Sequence, residues 1–132
     1  MPLNALNHYT LRPVDLERTK DFYVDVLGLP IGYRPPLGFP GYWLYCGDVP
    51  TVHLIGPRDE AGLPERQAQP TGLLDHIAFS CTGLVAMQAN LAKHGLTYET
   101  RIIPRDRQTQ LFLHDPDGLA VELNFPPNET VG

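Results

Sequence analysis

Four side chains of this 132-residue sequence are of the types that ligate metals or move protons, and they fall at matched spacing: His8, His53, His76 and Glu122. His53 follows His8 by 45 residues, and Glu122 follows His76 by 46. A proline comes four positions after each later member, in His53-Leu-Ile-Gly-Pro57 and in Glu122-Leu-Asn-Phe-Pro126. Two neutral imidazoles and one carboxylate (His8, His76 and Glu122) make a ligand set for a divalent first-row metal, with positions left open for substrate. The demand for a cation is greatest at Glu122. Alternation over 119–125 sets Leu119, Val121, Leu123 and Phe125 on one face of a strand, and Ala120, Glu122 and Asn124 on the other. A bare carboxylate on a buried sheet face is costly unless something positive meets it, and a bound metal would do so. His53 has three readings: a fourth ligand, a general acid/base beside the metal, or an ordinary hydrogen-bonding residue.

The elements that must position these groups can be read from periodicity and turn chemistry. His8 belongs to an alternating segment, 7–12, whose other face carries Tyr9 and Leu11. Asp15 is a candidate N-cap for a helix from Leu16 to about Leu27, with Leu16, Thr19, Tyr23 and Val26 as its apolar stripe and Gly28 as its stop. A short strand at 31–33 and a Pro/Gly loop at 35–41 precede strands at 42–46 and 51–55, joined by a turn. After a polar segment the series begins again: a strand at 74–80, a helix over about 83–94 stopped by Gly95, then strands at 97–103, 110–114 and 119–125. His8 precedes Gly28 by 20 residues and His76 precedes Gly95 by 19, so each half is strand–helix–strand–strand–strand. The expected fold is α+β, one domain over 1–132, built of two repeated modules at about 6–56 and 72–126 with a connector at 57–71. The repeat puts one of the four groups on each opening and each closing strand. Their apolar neighbours take the opposite, helix-covered faces, so all four line one concave side.

Composition narrows the partners. A formal net charge of −5 without a basic block argues against nucleic acid and anionic membrane surfaces. No apolar run approaches the roughly 20 residues of a membrane span, and the N-terminus has no signal pattern. Cys46 and Cys81 lack metal-type spacing and read as reduced thiols of a cytoplasmic protein. The expected partner is a small molecule. A symmetric homodimer is the expected assembly. A connector of about 15 residues can reach about 50 Å, which allows the modules of one chain to pair or to exchange with those of a second.

The segments Asn7-His8-Tyr9-Thr10-Leu11, Asp15-Leu16, Phe22-Tyr23, Leu27-Gly28-Leu29, Asp75-His76-Ile77-Ala78-Phe79, Asp115-Pro116-Asp117-Gly118 and Val121-Glu122-Leu123 together resemble the vicinal oxygen chelate superfamily. That superfamily includes glyoxalase I, extradiol catechol dioxygenases, and bleomycin- and fosfomycin-resistance proteins. The resemblance implies paired βαβββ modules forming a half-open mixed-sheet barrel around a metal cleft, with His8, His76 and Glu122 as the metal triad. At the His53 position the glyoxalase I branch usually has a ligand Glu, whereas extradiol dioxygenases have a non-ligating acid/base histidine. Ten positions before Glu122, where those dioxygenases typically carry a Tyr, this chain has Phe112.

The reading this favours is an extradiol-type dioxygenase acting on a small catechol-like substrate. His53 would be its acid/base and Fe(II) its favoured metal, with Zn, Ni or Mn open. The alternatives are a glyoxalase I-like lyase or isomerase, in which Glu122 shuttles the proton, and a drug-sequestering resistance-type protein. Phe39, Trp43 and Phe112 are candidates for the substrate pocket, with core or loop packing as their other explanation. Arg105, Arg107 and Gln108 could hold a substrate carboxylate or simply lie in a solvated loop.

Overall fold

The computed structural model describes residues 2–57 and 71–129, so most of the connector expected at 57–71 lies outside the described residues. The chain forms two compact units, Met1–Ala68 and Gln69–Gly132. The first unit contains β1 (Tyr9–Leu11), α1 (Leu16–Asp21), β2 (Ile31–Gly32), β3 (Gly41–Cys46) and β4 (Val49–Ile55). The second contains β5 (His76–Ser80), α2 (Leu84–Lys93), β6 (Glu99–Ile102), β7 (Thr109–His114) and β8 (Ala120–Phe125). Each has one four-stranded mixed sheet, ordered β1-β4-β3-β2 and β5-β8-β7-β6. In both, the opening strand lies parallel to the closing strand and the other pairings are antiparallel. A helical crossover is the connection that a parallel pair requires.

The duplication holds to the residue. Thr10, two positions after His8, pairs with His53; Ala78, two positions after His76, pairs with Glu122. Across the neighbouring antiparallel ladder Trp43 pairs with His53, and Phe112 pairs with Glu122. His76 opens β5, whereas His8 stands one residue before β1 rather than within it; each unit brings that histidine, its closing-strand group and one aromatic side chain to the same side.

The opposite faces make the cores. Leu44, Val52 and Leu54 are fully buried in the first unit, as are Leu111, Val121, Leu123 and Phe125 in the second, together with Leu84 and Leu91 of α2. Asp15 caps α1 as expected, its Oδ1 accepting from Arg18 N at 3.1 Å. The α-helix is shorter than its sequence pattern: after Asp21 the chain widens into a π-helical turn over Phe22–Val26, closed by Leu27 N donating to Phe22 O at 3.2 Å. Thr19, Phe22, Tyr23 and Val26, at the i, i+3, i+4, i+7 spacing of one helical face, are all buried. Gly28 then takes φ +79, a left-handed stop that favours glycine. In the turn before β8, Asp115 Oδ1 accepts from Asp117 N and Leu119 N, both at 2.9 Å, which explains this carboxylate structurally.

Helix α2 has no side chain of its own to cap it, because its N-cap is Gly83. Glu129 supplies the cap from the C-terminal segment: Oε1 accepts from Gly83 N and Leu84 N, both at 2.9 Å. A carboxylate on the first free amides satisfies backbone donors and complements the helix dipole. Glu129→Ala is expected to lower stability by about 1–2 kcal/mol. Urea denaturation checks this, and an unchanged midpoint would count against the capping role.

Candidate functional site

In the first unit the site is a stack of three rings. The centroids of His8 and His53 are 3.8 Å apart at 12°, and those of Trp43 and His53 are 4.0 Å apart at 10°. His53 thus lies between His8 and Trp43 and is only 9% exposed. Its Nε2 is 3.0 Å from the Pro50 carbonyl. A carbonyl can only accept, so Nε2 carries the proton and Nδ1 keeps the lone pair. Burial, followed by the charges of His8 and Arg34, pushes the His53 pKa below its ordinary value, against the opposing Pro50 bond. His53 is therefore neutral at pH 7. His8 Nδ1 lies 2.7 Å from Asn7 Oδ1; the amide oxygen takes the Nδ1 proton and leaves Nε2 as the lone-pair nitrogen.

The second unit repeats the device with a stronger acceptor. His76 Nδ1 donates to Asp75 Oδ2 at 2.7 Å, which turns Nε2 towards Glu122 Oε1, 3.4 Å away. The Asp75 hydrogen bond is the main reason the His76 pKa is raised, and the charges of Glu122 and Asp75 add to it against partial desolvation. Glu122 is 8% exposed. Its Oε2 accepts from Asn124 Nδ2 at 2.7 Å, and Asn124 Oδ1 accepts from Gln110 Nε2 at 3.0 Å. The Phe112 ring stands edge-on to His76 with centroids 6.5 Å apart, and the Arg101 guanidinium lies 5.2 Å from its centre.

Donor geometry tests whether such a pair suits a metal. Two N/O ligands about 2.1 Å from one ion, at 90–109° to each other, stand roughly 3.0–3.4 Å apart. The His76 Nε2–Glu122 Oε1 separation of 3.4 Å falls at the edge of that range, while being long for a hydrogen bond. With Nδ1 protonated, two lone pairs face each other across this gap unless a proton or a metal lies between them. The spacing suits a divalent ion between the two, and equally the shared proton that the raised His76 pKa favours. Among the described residues no three His, Cys, Asp or Glu side chains already stand as a complete metal group. The second unit unites two of the expected ligands; the first holds His8 against His53.

Of the other expected residues, Trp43 lies on His53, Phe112 beside His76, and Phe39 is half-buried beneath the Arg34 guanidinium. Arg105, Arg107 and Gln108 are exposed in the β6–β7 turn, where Arg107 takes φ +63. The residues that sequence reasoning passed over are the orienting ones: Asn7, Asp75, Asn124 and Gln110. Their signal was present for the first two, because an Asn or Asp immediately precedes each opening histidine.

The Glyoxalase/Bleomycin resistance protein/Dioxygenase superfamily matches residues 5–123, a span that holds all four groups and most of each unit. The chain belongs to that superfamily. It is 31% identical over 125 residues to Glyoxylase I 4 of Arabidopsis thaliana, covering 92% of this chain and 70% of that protein. It is 32% identical over 124 residues to Biphenyl-2,3-diol 1,2-dioxygenase 3 of Rhodococcus globerulus, covering 91% of this chain and 62% of that protein. Among solved structures, SMU.1112c aligns with a TM-score of 0.70 at 26% identity, over 93% of this chain and 99% of that one. The α+β, two-module architecture of the superfamily is thus the fold of this chain. The two named enzymes carry out different reactions, so superfamily membership leaves the reaction to be argued from the site. Among the described residues no helix is long and apolar enough to cross a membrane.

Proposed function

We propose that this superfamily member is a divalent-metal-dependent enzyme, an extradiol-type ring-cleaving dioxygenase acting on a small catechol-like substrate. His8, His76 and Glu122 would hold the ion, contributed by one chain or by two chains of a homodimer. The observation that carries the metal is the facing of His76 Nε2 and Glu122 Oε1 at 3.4 Å. When bound, the metal supplies Lewis acidity towards two vicinal substrate oxygens and, as Fe(II), the redox chemistry that dioxygen requires.

The chain's own residues do the rest. Asn7 and Asp75 fix the ring orientations of His8 and His76, and the Gln110–Asn124 pair fixes the Glu122 carboxylate, which is how outer partners tune a ligand set. His53 supports the dioxygenase reading. Its Nε2–H is committed to Pro50, so its neutral Nδ1 can accept a substrate hydroxyl proton and return it. Trp43, Phe39 and Phe112 offer apolar surface for an aromatic ring.

One observation favours the lyase reading: Phe112, beside His76, presents no hydroxyl to a substrate oxygen. In that case Glu122 is the proton carrier and the metal is redox-silent. Anaerobic reconstitution with Fe(II), Ni(II) or Zn(II), followed by assay of catechols with O2 and of the glutathione–methylglyoxal adduct, separates the two. The expected result is a yellow ring-fission product with Fe(II) alone. Turnover of the adduct with Ni(II) or Zn(II) would reverse the order. Tight binding of bleomycin or fosfomycin without turnover of either substrate would make the protein a sequestering one.

A further inference from the structure

Arg34 lies in the loop between β2 and β3, with its charge near His53 and its guanidinium over Phe39. Its Nε is buried and has no hydrogen-bond partner. No carboxylate pairs with it among the described residues. The guanidinium carbon lies 5.0 Å from the centre of the Phe39 ring. It also lies against Gly41, where a Cβ would collide with the Leu54 backbone oxygen and stand 2.8 Å from Arg34 Nη2 and 3.0 Å from Cζ. Gly41 comes two positions before Trp43 on β3, and Trp43 pairs with His53. By strand alternation the missing side chain of Gly41 belongs to the face that carries Trp43 and His53. Glycine here thus leaves room on the site face for the guanidinium as well as for the Leu54 carbonyl.

A buried donor left unmade costs more than a cation–π contact returns, so Phe39 alone does not account for Arg34. The planar fork of a guanidinium matches the two oxygens of a carboxylate. We propose that Arg34 binds a carboxylate of the ligand that occupies the His53–Trp43 face, so that the substrate is a carboxylated aromatic compound. This rests on the proposed function for the occupancy of that face, and not on the metal.

Trp43 is the only tryptophan, so its fluorescence reports this face alone. The full-length protein, freed of metal with a chelator, would be titrated with benzoate and with its neutral analogue benzamide. Benzoate is expected to bind at least about tenfold more tightly. Arg34→Gln should bring benzoate down to the benzamide level and leave benzamide unchanged. Arg34→Lys, which keeps the charge without the fork, should retain part of the preference, and it serves as the test if the Gln variant does not fold. Equal affinities in the unaltered protein, a preference that survives Arg34→Gln, or no response to either compound would overturn the assignment. Fe(II) uptake measured on the same preparation keeps the two proposals apart. Benzoate preference without Fe(II) uptake sinks the metal alone, and Fe(II) uptake without benzoate preference sinks the carboxylate site alone.

Discussion

Glu122→Gln should abolish tight metal binding while leaving the fold in place. Glutamine keeps the volume of a side chain that is 8% exposed on β8, and its amide oxygen can still accept from Asn124. It removes the charge that stands 3.4 Å from His76 Nε2. Loss of outer partners typically weakens a metal site 10–100-fold, and loss of an anionic ligand should exceed that, to more than about a hundredfold. Asn124→Ala, which frees the carboxylate without removing it, should fall within the smaller range. In the presence of chelator the Gln variant should melt close to the parent, because it loses the pairing with His76 but also the cost of burying a carboxylate. Anaerobic calorimetry with Fe(II) or Zn(II), paired with thermal melting, measures both effects. A Gln variant that binds metal like the parent would remove Glu122 from the ligand set.

The second large effect belongs to His53. Its Nε2 is tied to Pro50 O and its ring is held between His8 and Trp43, so it stands as a base rather than a ligand. His53→Phe, which preserves a flat ring in the stack, should keep the metal and lower turnover by about 10²–10⁴-fold, the usual contribution of a positioned acid/base. His53→Ala should do the same with some loss of stability, since it opens a gap between two rings. If either variant loses its metal in step with its activity, His53 is a fourth ligand. Retained turnover in both would leave the reaction without its proposed base.

Much of this arrangement was legible in the sequence because strands with one buried face impose a period of two. Val121, Leu123 and Phe125 alternate with Glu122 and Asn124 for that reason, and the matched intervals from His8 to His53 and from His76 to Glu122 follow from two sheets of one topology. What stayed hidden leaves no mark on the periods or reaches across the chain. The π-helical turn at Phe22–Val26 leaves no trace in the pattern, because the buried Thr19, Phe22, Tyr23 and Val26 keep the i, i+3, i+4, i+7 spacing of an ordinary α-helix. Glu129 caps a helix 46 residues earlier in the sequence, so no local motif announces it. Arg34 sits in a proline-flanked loop without alternation, and its importance is a buried, unpaired Nε that only coordinates reveal. The reaction is illegible for a chemical reason: two histidines and a carboxylate serve a redox metal and a redox-silent one equally well.

The most direct test is anomalous diffraction at the iron edge from crystals grown anaerobically with Fe(II). The account predicts one ion within about 2.0–2.2 Å of His8 Nε2, His76 Nε2 and a Glu122 carboxyl oxygen, counting every chain of the assembly, with His53 Nε2 still on the Pro50 carbonyl. An iron peak held by only one of these three residues, or by none, would contradict it.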